Sequence, residues 1–245
     1  MQISAYLDQL AKLPYAGLDS LGGGSVTILA PHPDDEALGT GGLIAACLEA
    51  GIHVSVVVLT DGAGSHPSSK RFPKERLIEL RRQECQSGLA ILGLSPANIV
   101  HFGLSDTAAP MSGTSFDQTV QRLSELVTRS GSTSLFVTWD KDPHCDHLAA
   151  ARIAGAVGRS IPGLLVWHYP IWGWYLPDSE PMDRPSPDGF RFDISPWIDL
   201  KHRAIAAHAS QMTKLIDDDP QGFTFSAEKL HRFLQPTEYF IRSQQ

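Results

Sequence analysis

The chain has 245 residues, 42% of them hydrophobic and 19% charged, with a formal net charge of −7. That is the composition of a soluble globular protein with enough chain for one substantial core, and its acidic balance argues against nucleic acid or an acidic membrane surface as the main partner. The longest apolar runs, such as Val54–Leu59, are strand length and far short of a membrane span. Cys47, Cys85 and Cys145 make an odd set without C-x-x-C spacing, which points away from a disulfide framework and towards a reducing cytoplasm. The N-terminus lacks a basic segment followed by an apolar one, so no signal peptide is expected.

The pattern predicts a short amphipathic segment at about Ile3–Leu13 that ends at Pro14, then a glycine joint at Gly22–Gly24. A continuous apolar strand follows at Ser25–Ala30, as expected where both faces of a parallel sheet are covered. A small-residue helix at about Ala37–Ala50 closes at Gly51. After it come a strand at His53–Leu59, a turn at Asp61-Gly62 and a helix at Lys74–Leu92 that ends at Gly93. Further strands are expected at Ile99–Phe102, Ser134–Thr138 and Leu164–His168, with helices near Phe116–Arg129 and Asp146–Val157. From Tyr169 the stretch "YPIWGWYLPDSEPMDRPSPDGF" reads as an irregular excursion; a helix near Ser195–Gln211 and a helix–strand unit ending in "TEYFIR" complete the chain. The alternation predicts an α/β fold: a Rossmann-like, mostly parallel sheet with helices on both faces. The whole chain is expected to be a single domain, with a core at about 25–170 and an irregular C-terminal decoration at about 171–245.

Two charged clusters fall where strands end. "LAPHPDDEALG" (29–39) delivers His32, Asp34 and Asp35 from the end of the first strand, with Pro31 and Pro33 stiffening the turn. "LFVTWDKDPHCDHLAA" (135–150) delivers Asp140, Asp142, His144, Asp146 and His147 from another. In open parallel sheets ligands bind at this edge. A helix N-terminus explains an Asp-Glu pair by itself, but not the histidines or the second carboxylate. Like charges so close need a compensating cation or proton. Several histidines and carboxylates on one edge read as a divalent-metal site. Zinc suits imidazole and carboxylate donors, and a catalytic zinc keeps three protein ligands; His-x-x-Asp on one loop and a His from the other provide such a trio.

"PHPDDE" followed much later by "HCDH" resembles the PIG-L/LmbE-like family of zinc-dependent N-acetylglucosaminyl deacetylases. The likeness extends to "LTDG" (59–62), to "RRQECQSGLAILGL" and to "HFGLSD", and covers roughly residues 25–160. It implies that His32, Asp35 and His147 bind Zn2+ and that Asp34 is the general base. It also implies that His144 is an electrostatic catalyst or general acid oriented by Asp146. Arg81 matches an arginine that reaches the sugar and Asp106 a sugar-side acceptor, although a solvated helix face and an Asx turn explain these two equally well. The implied substrate is a small-molecule amino sugar or glycoconjugate, with no nucleic acid and no membrane span. A zinc amidase with another N-acyl substrate is the alternative within the class.

Several residues and one segment depart from the expected pattern or carry no assigned role. Cys145 stands where relatives commonly have proline, either as a small apolar side chain or as a further ligand. One of Asp140 and Asp142 is expected to support a ligand histidine while the other is exposed. The aromatic stretch Trp167–Tyr175, with His168, is either an acceptor subsite or a hydrophobic plug. His208 either reaches the site or caps a helix. Other functional classes fit less well: "GTGG" (39–42) lacks the G-x-G-x-x-G pattern of a dinucleotide site, structural zinc favours cysteine-rich sets, and there is no G-x-S-x-G elbow.

Overall fold

The computed structural model describes residues 1–243. Seven strands among them make one sheet: β1 (Ser25–Ala30), β2 (Val54–Thr60), β3 (Ile99–Leu104), β4 (Ser132–Thr138), β5 (Leu165–Tyr169), β6 (Gly189–Asp193) and β7 (Thr237–Arg242). Their order is β3-β2-β1-β4-β5-β7-β6. The first five run parallel, and β7 and then β6 extend the sheet antiparallel. The helices in chain order are α1 (Ile3–Leu10), α2 (Asp35–Glu49), α3 (Lys74–Ile91), α4 (Gly113–Arg129), α5 (Cys145–Ser160), α6 (Ile198–Ala206), α7 (Ala209–Met212) and α8 (Ala227–Phe233). No helix among the described residues is long and apolar enough to cross a membrane.

The continuous apolar strands are explained by the two layers that cover them. Val26 and Ile28 of β1 and Val54, Val56 and Val58 of β2 pack with α2, α3 and α6. Leu29, Val57 and Leu59 face the other way, onto Leu123 and Val127 of α4 and Ile153 and Ala154 of α5. Each fully buried side chain of this kind is worth about 1.5–3 kcal/mol relative to exposure. From β1 the chain runs to β2 and β3 on one side, then returns to β4 on the other. The crevice between the carboxyl ends of β1 and β4 is therefore the topological switch point, where open α/β sheets bind ligands.

The C-terminal region differs from the sequence expectation in two respects. The irregular excursion ends in an edge strand, β6, which runs on beyond it and whose Phe190 and Phe192 join the same core as β1 and β2. The helix expected over Ser195–Gln211 divides into α6 and α7, because His208 between them leaves helical geometry (φ −83°, ψ 56°) as its ring turns into the interior. A buried ion pair, Lys201 Nζ to Glu238 Oε1 at 2.7 Å, joins α6 to β7. Glu238 also accepts from the Gly42 and Leu43 amides of α2 at 2.8 and 2.9 Å.

The glycines of "GTGG" are packing residues. A Cβ on Gly39 would lie 2.1 Å from the Tyr169 ring, and one on Gly42 would lie 2.3 Å from Ile194. Helix propensity favours Gly39→Ala by about 0.8–1 kcal/mol, whereas overpacking a fixed core costs about 1–3 kcal/mol. Tyr169 is fully buried and tethered through its hydroxyl to the Leu29 carbonyl, so overpacking wins. Gly39→Ala should lower the urea midpoint of unfolding; a raised midpoint would show that α2 moves aside freely.

Candidate metal centre

The two strand ends bring their charged clusters together. Asp35 Oδ2 lies 3.2 Å from His32 Nδ1 and 3.3 Å from His147 Nε2, and those two nitrogens are 3.3 Å apart. The outer nitrogen of each ring is committed elsewhere. His147 Nδ1 meets Asp142 Oδ2 at 2.9 Å. His32 Nε2 meets Asp146 Oδ2 at 3.1 Å and Asp106 Oδ1 at 3.3 Å. A carboxylate only accepts, so each outer nitrogen carries the proton. In the neutral rings the inner nitrogens then present lone pairs to each other and to an anionic oxygen.

Three converging lone pairs repel unless positive charge lies between them. Protons are one source. Burial opposes a charge on His32, but Asp106, Asp146 and Asp35 reverse this and raise its pKa well above the usual range. Burial likewise opposes a charge on His147, and Asp35 and Asp142 carry its pKa up to about 9. Burial also favours the neutral acid of Asp35, yet His147 and His32 hold it ionised. A metal ion is the other source, and the donor set fits one. Two donors that share a tetrahedral zinc at about 2.0–2.1 Å are about 3.3–3.4 Å apart, close to the observed edges. The His32, His144 and His147 rings each offer a nitrogen within 4.8 Å of the others, and a second potential set joins His32 and His144 to Asp106 and Asp146.

Asp34 stands beside this triangle in a strained conformation, with φ at 139°. A non-glycine residue there costs on the order of 1–3 kcal/mol and persists only where its surroundings hold it. Arg81 Nη2 donates to the Pro33 carbonyl at 2.7 Å and to Asp34 Oδ2 at 3.1 Å, while Nη1 donates to the Gly62 carbonyl at 2.8 Å. From the other side the Asp34 amide donates to Glu36 Oε2 at 3.0 Å. Burial raises the Asp34 carboxyl to about 7, and the Arg81 cation offsets part of that rise. Arg81 is 3% exposed, so it is no solvated helix face. Asp106 accepts from the Gly64 amide at 2.8 Å as well as facing His32.

The expected contact between the Asp146 carboxylate and the His144 ring is not made. Asp146 directs its carboxylate to His32 and to the amides of Thr107 (2.7 Å) and Ala109 (3.0 Å). Its link to His144 is a backbone one: the Asp146 amide donates to His144 Nδ1 at 3.2 Å. Nδ1 is therefore an acceptor and the ring's proton sits on Nε2. Burial, and then the neighbouring His32 and His147, keep His144 below the usual imidazole range. Cys145 neither packs into the helix nor lines the cavity. Its thiol is exposed and faces the Thr107 carbonyl at 3.6 Å.

A cavity of about 200 Å³ opens onto His32, Asp34, Asp35, Arg81, Asp106 and His144. Its far wall is Trp172, Phe223 and Phe225, with Gln211 beside them. Of the two acidic residues in "DKDPH", Asp142 supports His147, whereas Asp140 pairs with Arg184. Asp142 also accepts from the amides of Ile171, Trp172 and Gly173, so one carboxylate fixes both the histidine and the aromatic wall. His168 is a satisfied interior residue facing the Thr138 carbonyl at 3.1 Å. His208 is fully buried behind the site, its Nε2 3.4 Å from Glu36 Oε1. Gln211, Phe223 and Phe225 carry no spacing signal, because the fold alone brings the C-terminal region across the cavity mouth.

A doubly wound sheet with converging histidine and carboxylate donors at its switch point is the arrangement of an α/β metalloenzyme. The GlcNAc-PI de-N-acetylase (PIG-L) profile matches residues 27–157, and the chain belongs to that family. It is 30% identical over 204 residues to the diacetylchitobiose deacetylase of Thermococcus kodakarensis, covering 76% of this chain and 69% of that protein. Among solved structures, the N,N'-diacetylchitobiose deacetylase of Pyrococcus horikoshii aligns with a TM-score of 0.66 at 21% identity, over 89% of this chain and 83% of the other. The 4-carboxy-2-hydroxymuconate hydratase of Pseudomonas putida aligns with a TM-score of 0.59 at 21% identity, over 86% and 82%. The architecture thus serves more than one reaction, and chemistry has to be argued from the site.

Loss of a carboxylate that orients a ligand histidine typically costs about 10–100-fold in metal affinity. Asp142→Asn should weaken divalent-metal binding by that factor in a calorimetric titration. Wild-type affinity would mean that His147 needs no such support.

Proposed function

We propose that this chain is a zinc-dependent N-deacetylase that removes the acetyl group from an N-acetylglucosamine-type glycoside. The reading rests on one observation: His32 and Asp35, two corners of the triangle whose edges are 3.2–3.3 Å, line the same small cavity as the strained Asp34, with the third corner, His147, fully buried behind them. The family, and the diacetylchitobiose deacetylase among the relatives, support the choice of an N-acetylated amino sugar. Two imidazole nitrogens and one carboxylate oxygen are donors that suit zinc.

His32, Asp35 and His147 would hold the ion. A zinc ion in such a site supplies Lewis acidity towards the amide carbonyl and lowers the pKa of water to about 7. Asp34 is the general base in this reading. Burial raises its carboxyl and the Arg81 cation lowers it; a dication held by the neighbouring Asp35 would add to that pull and favour the carboxylate that a general base requires. Arg81 fixes one oxygen of that carboxylate and leaves Asp34 to pass the proton on to the departing amine. His144, whose Nδ1 is occupied by the Asp146 amide, keeps an Nε2 proton to donate to the developing oxyanion. Asp106 and Asp146 both face His32 Nε2 and hold that ring's inner nitrogen towards the triangle. The free cysteines Cys47, Cys85 and Cys145 support a reducing, cytoplasmic setting.

Release of primary amine from a panel of N-acetylated glycosides tests the activity. The metal-loaded chain should deacetylate at least one N-acetylglucosaminide, and no amine from any member would overturn the reading. Asp34→Asn should keep its metal and lose about 10²–10⁴-fold in turnover; near-native turnover would mean another group is the base. The Arg81 cation favours the ionised form of Asp34, so Arg81→Gln should raise that pKa. The acidic limb of the pH–rate profile should then move to higher pH, and an unmoved limb would separate Arg81 from the base.

A further inference from the structure

Asp34 keeps its φ of 139° only because its neighbours hold it there. Arg81 holds the carboxylate and the carbonyl before it, and Glu36 Oε2 accepts from its amide at 3.0 Å. The second of these anchors has a requirement of its own. Glu36 is fully buried, and a carboxylate without a partner is costly in such a place. Among the described residues its only basic neighbour within 4 Å is His208, whose Nε2 lies 3.4 Å from Glu36 Oε1. The two atoms are not aligned as a hydrogen bond, and neither they nor His208 Nδ1 have another hydrogen-bond partner in the protein. The contact therefore acts through charge.

The fold brings this ring to Glu36 from the C-terminal region. His208 leaves helical geometry between α6 and α7, and Glu84 of α3 grips the following turn by accepting from the Ser210 amide and hydroxyl at 2.8 and 2.6 Å. Gly88 permits the approach, since a Cβ there would lie 3.1 Å from His208 Nε2 and 3.0 Å from the Ala204 carbonyl. Arg81, Glu84, Cys85 and Gly88 recur at i, i+3, i+4 and i+7, so one face of α3 serves both anchors of Asp34. Burial opposes a charge on His208, but Glu36, and then Asp34 and Glu84, reverse this and raise its pKa. Burial and the same Glu36 carboxylate push the Cys85 thiol well above its ordinary range, so that neighbour stays neutral. His208 is left as the group that balances Glu36. It is not among the residues lining the cavity, so any effect it has on turnover passes through others.

On the deacetylase reading above, we propose that His208 is a positioning residue for the Asp34 base. Its ring pairs with Glu36, and Glu36 in turn holds the Asp34 amide and with it the strained backbone that directs the Asp34 carboxylate into the cavity. Without His208 the buried Glu36 side chain turns to another partner or takes up a proton, its hold on the amide weakens, and the Asp34 peptide relaxes.

The test compares three zinc-loaded variants with the wild type: His208→Leu, Glu36→Gln and the two combined. Glu36→Gln keeps an oxygen for the Asp34 amide but leaves no charge to balance. On the panel glycoside with the highest wild-type turnover, His208→Leu should lower kcat about ten- to a hundredfold, the scale of one hydrogen bond to a charged group. KM should change by less than about threefold, because the base acts in the chemical step. The double variant should regain most of the lost turnover. Crystal structures should show Asp34 outside the positive-φ region in His208→Leu and returned to it in the double variant. Additive losses, kcat and KM impaired alike, or Asp34 at its native φ in His208→Leu would each overturn the proposal. Where circular dichroism shows that His208→Leu does not fold, two neutral pairs decide instead. His208→Leu with Glu36→Gln should fold and keep both the φ of Asp34 and turnover, whereas His208→Leu with Glu36→Leu should fold and lose both. Equal turnover in the two pairs, or failure of the first pair to fold, would overturn the proposal. If the wild type releases no amine from any panel glycoside, the deacetylase reading fails, while the crystal structures still decide whether His208 positions Asp34.

Discussion

Three lone pairs that converge within 3.2–3.3 Å of one another constrain the rest of this molecule. His32 Nδ1, His147 Nε2 and Asp35 Oδ2 cannot share that space without positive charge among them. The surrounding side chains hold them there. Asp142 on one ring, and Asp106 with Asp146 on the other, bind the outer nitrogens and so turn the inner ones towards the common point. The four carboxylates raise the proton affinity of the imidazoles, so protons and a metal compete for the same lone pairs and metal binding is coupled to pH. The sheet topology supplies the two halves. Only at the β1/β4 switch point do neighbouring parallel strands send their following loops apart, leaving a crevice for both clusters.

A second set of contacts holds the strained backbone at Asp34. Asp34 sits at φ 139° because Arg81 holds its carboxylate and the preceding carbonyl, while Glu36 holds its amide. Glu36 is fully buried, and the facing group at 3.4 Å is His208 from the C-terminal region. Gly88 of α3 makes room for that ring, since a Cβ there would lie 3.1 Å from His208 Nε2. The same region contributes Gln211, Phe223 and Phe225 to the cavity. It therefore closes the site as well as extending the sheet.

The parallel sheet and the two clusters were legible because each has a local signature: runs such as Ser25–Ala30, and histidines and carboxylates spaced within single loops. The boundaries of β1 were read directly because Gly24 and Pro31 bracket it. Strand β6 was hidden in a proline-rich stretch, and what makes it a strand is pairing with β7, some fifty residues later. The orientation of Asp146 was not legible either. Two residues from His144, it looks like that ring's partner, but the helix that starts at Cys145 turns its carboxylate to His32, 114 positions away in sequence. Tertiary geometry decided between neighbours that spacing alone could not rank. The "GTGG" glycines show the reverse case, in which a motif-like string is explained by two side chains from distant segments, Tyr169 and Ile194.

X-ray absorption at the zinc edge, on the chain loaded with one equivalent of zinc, tests the central claim most directly. The converging triangle predicts a first shell of nitrogen and oxygen at about 2.0–2.1 Å, with the outer-shell scattering of two imidazoles. A sulfur scatterer at about 2.3 Å, which would bring Cys145 to the metal, or a shell without imidazole, would contradict it.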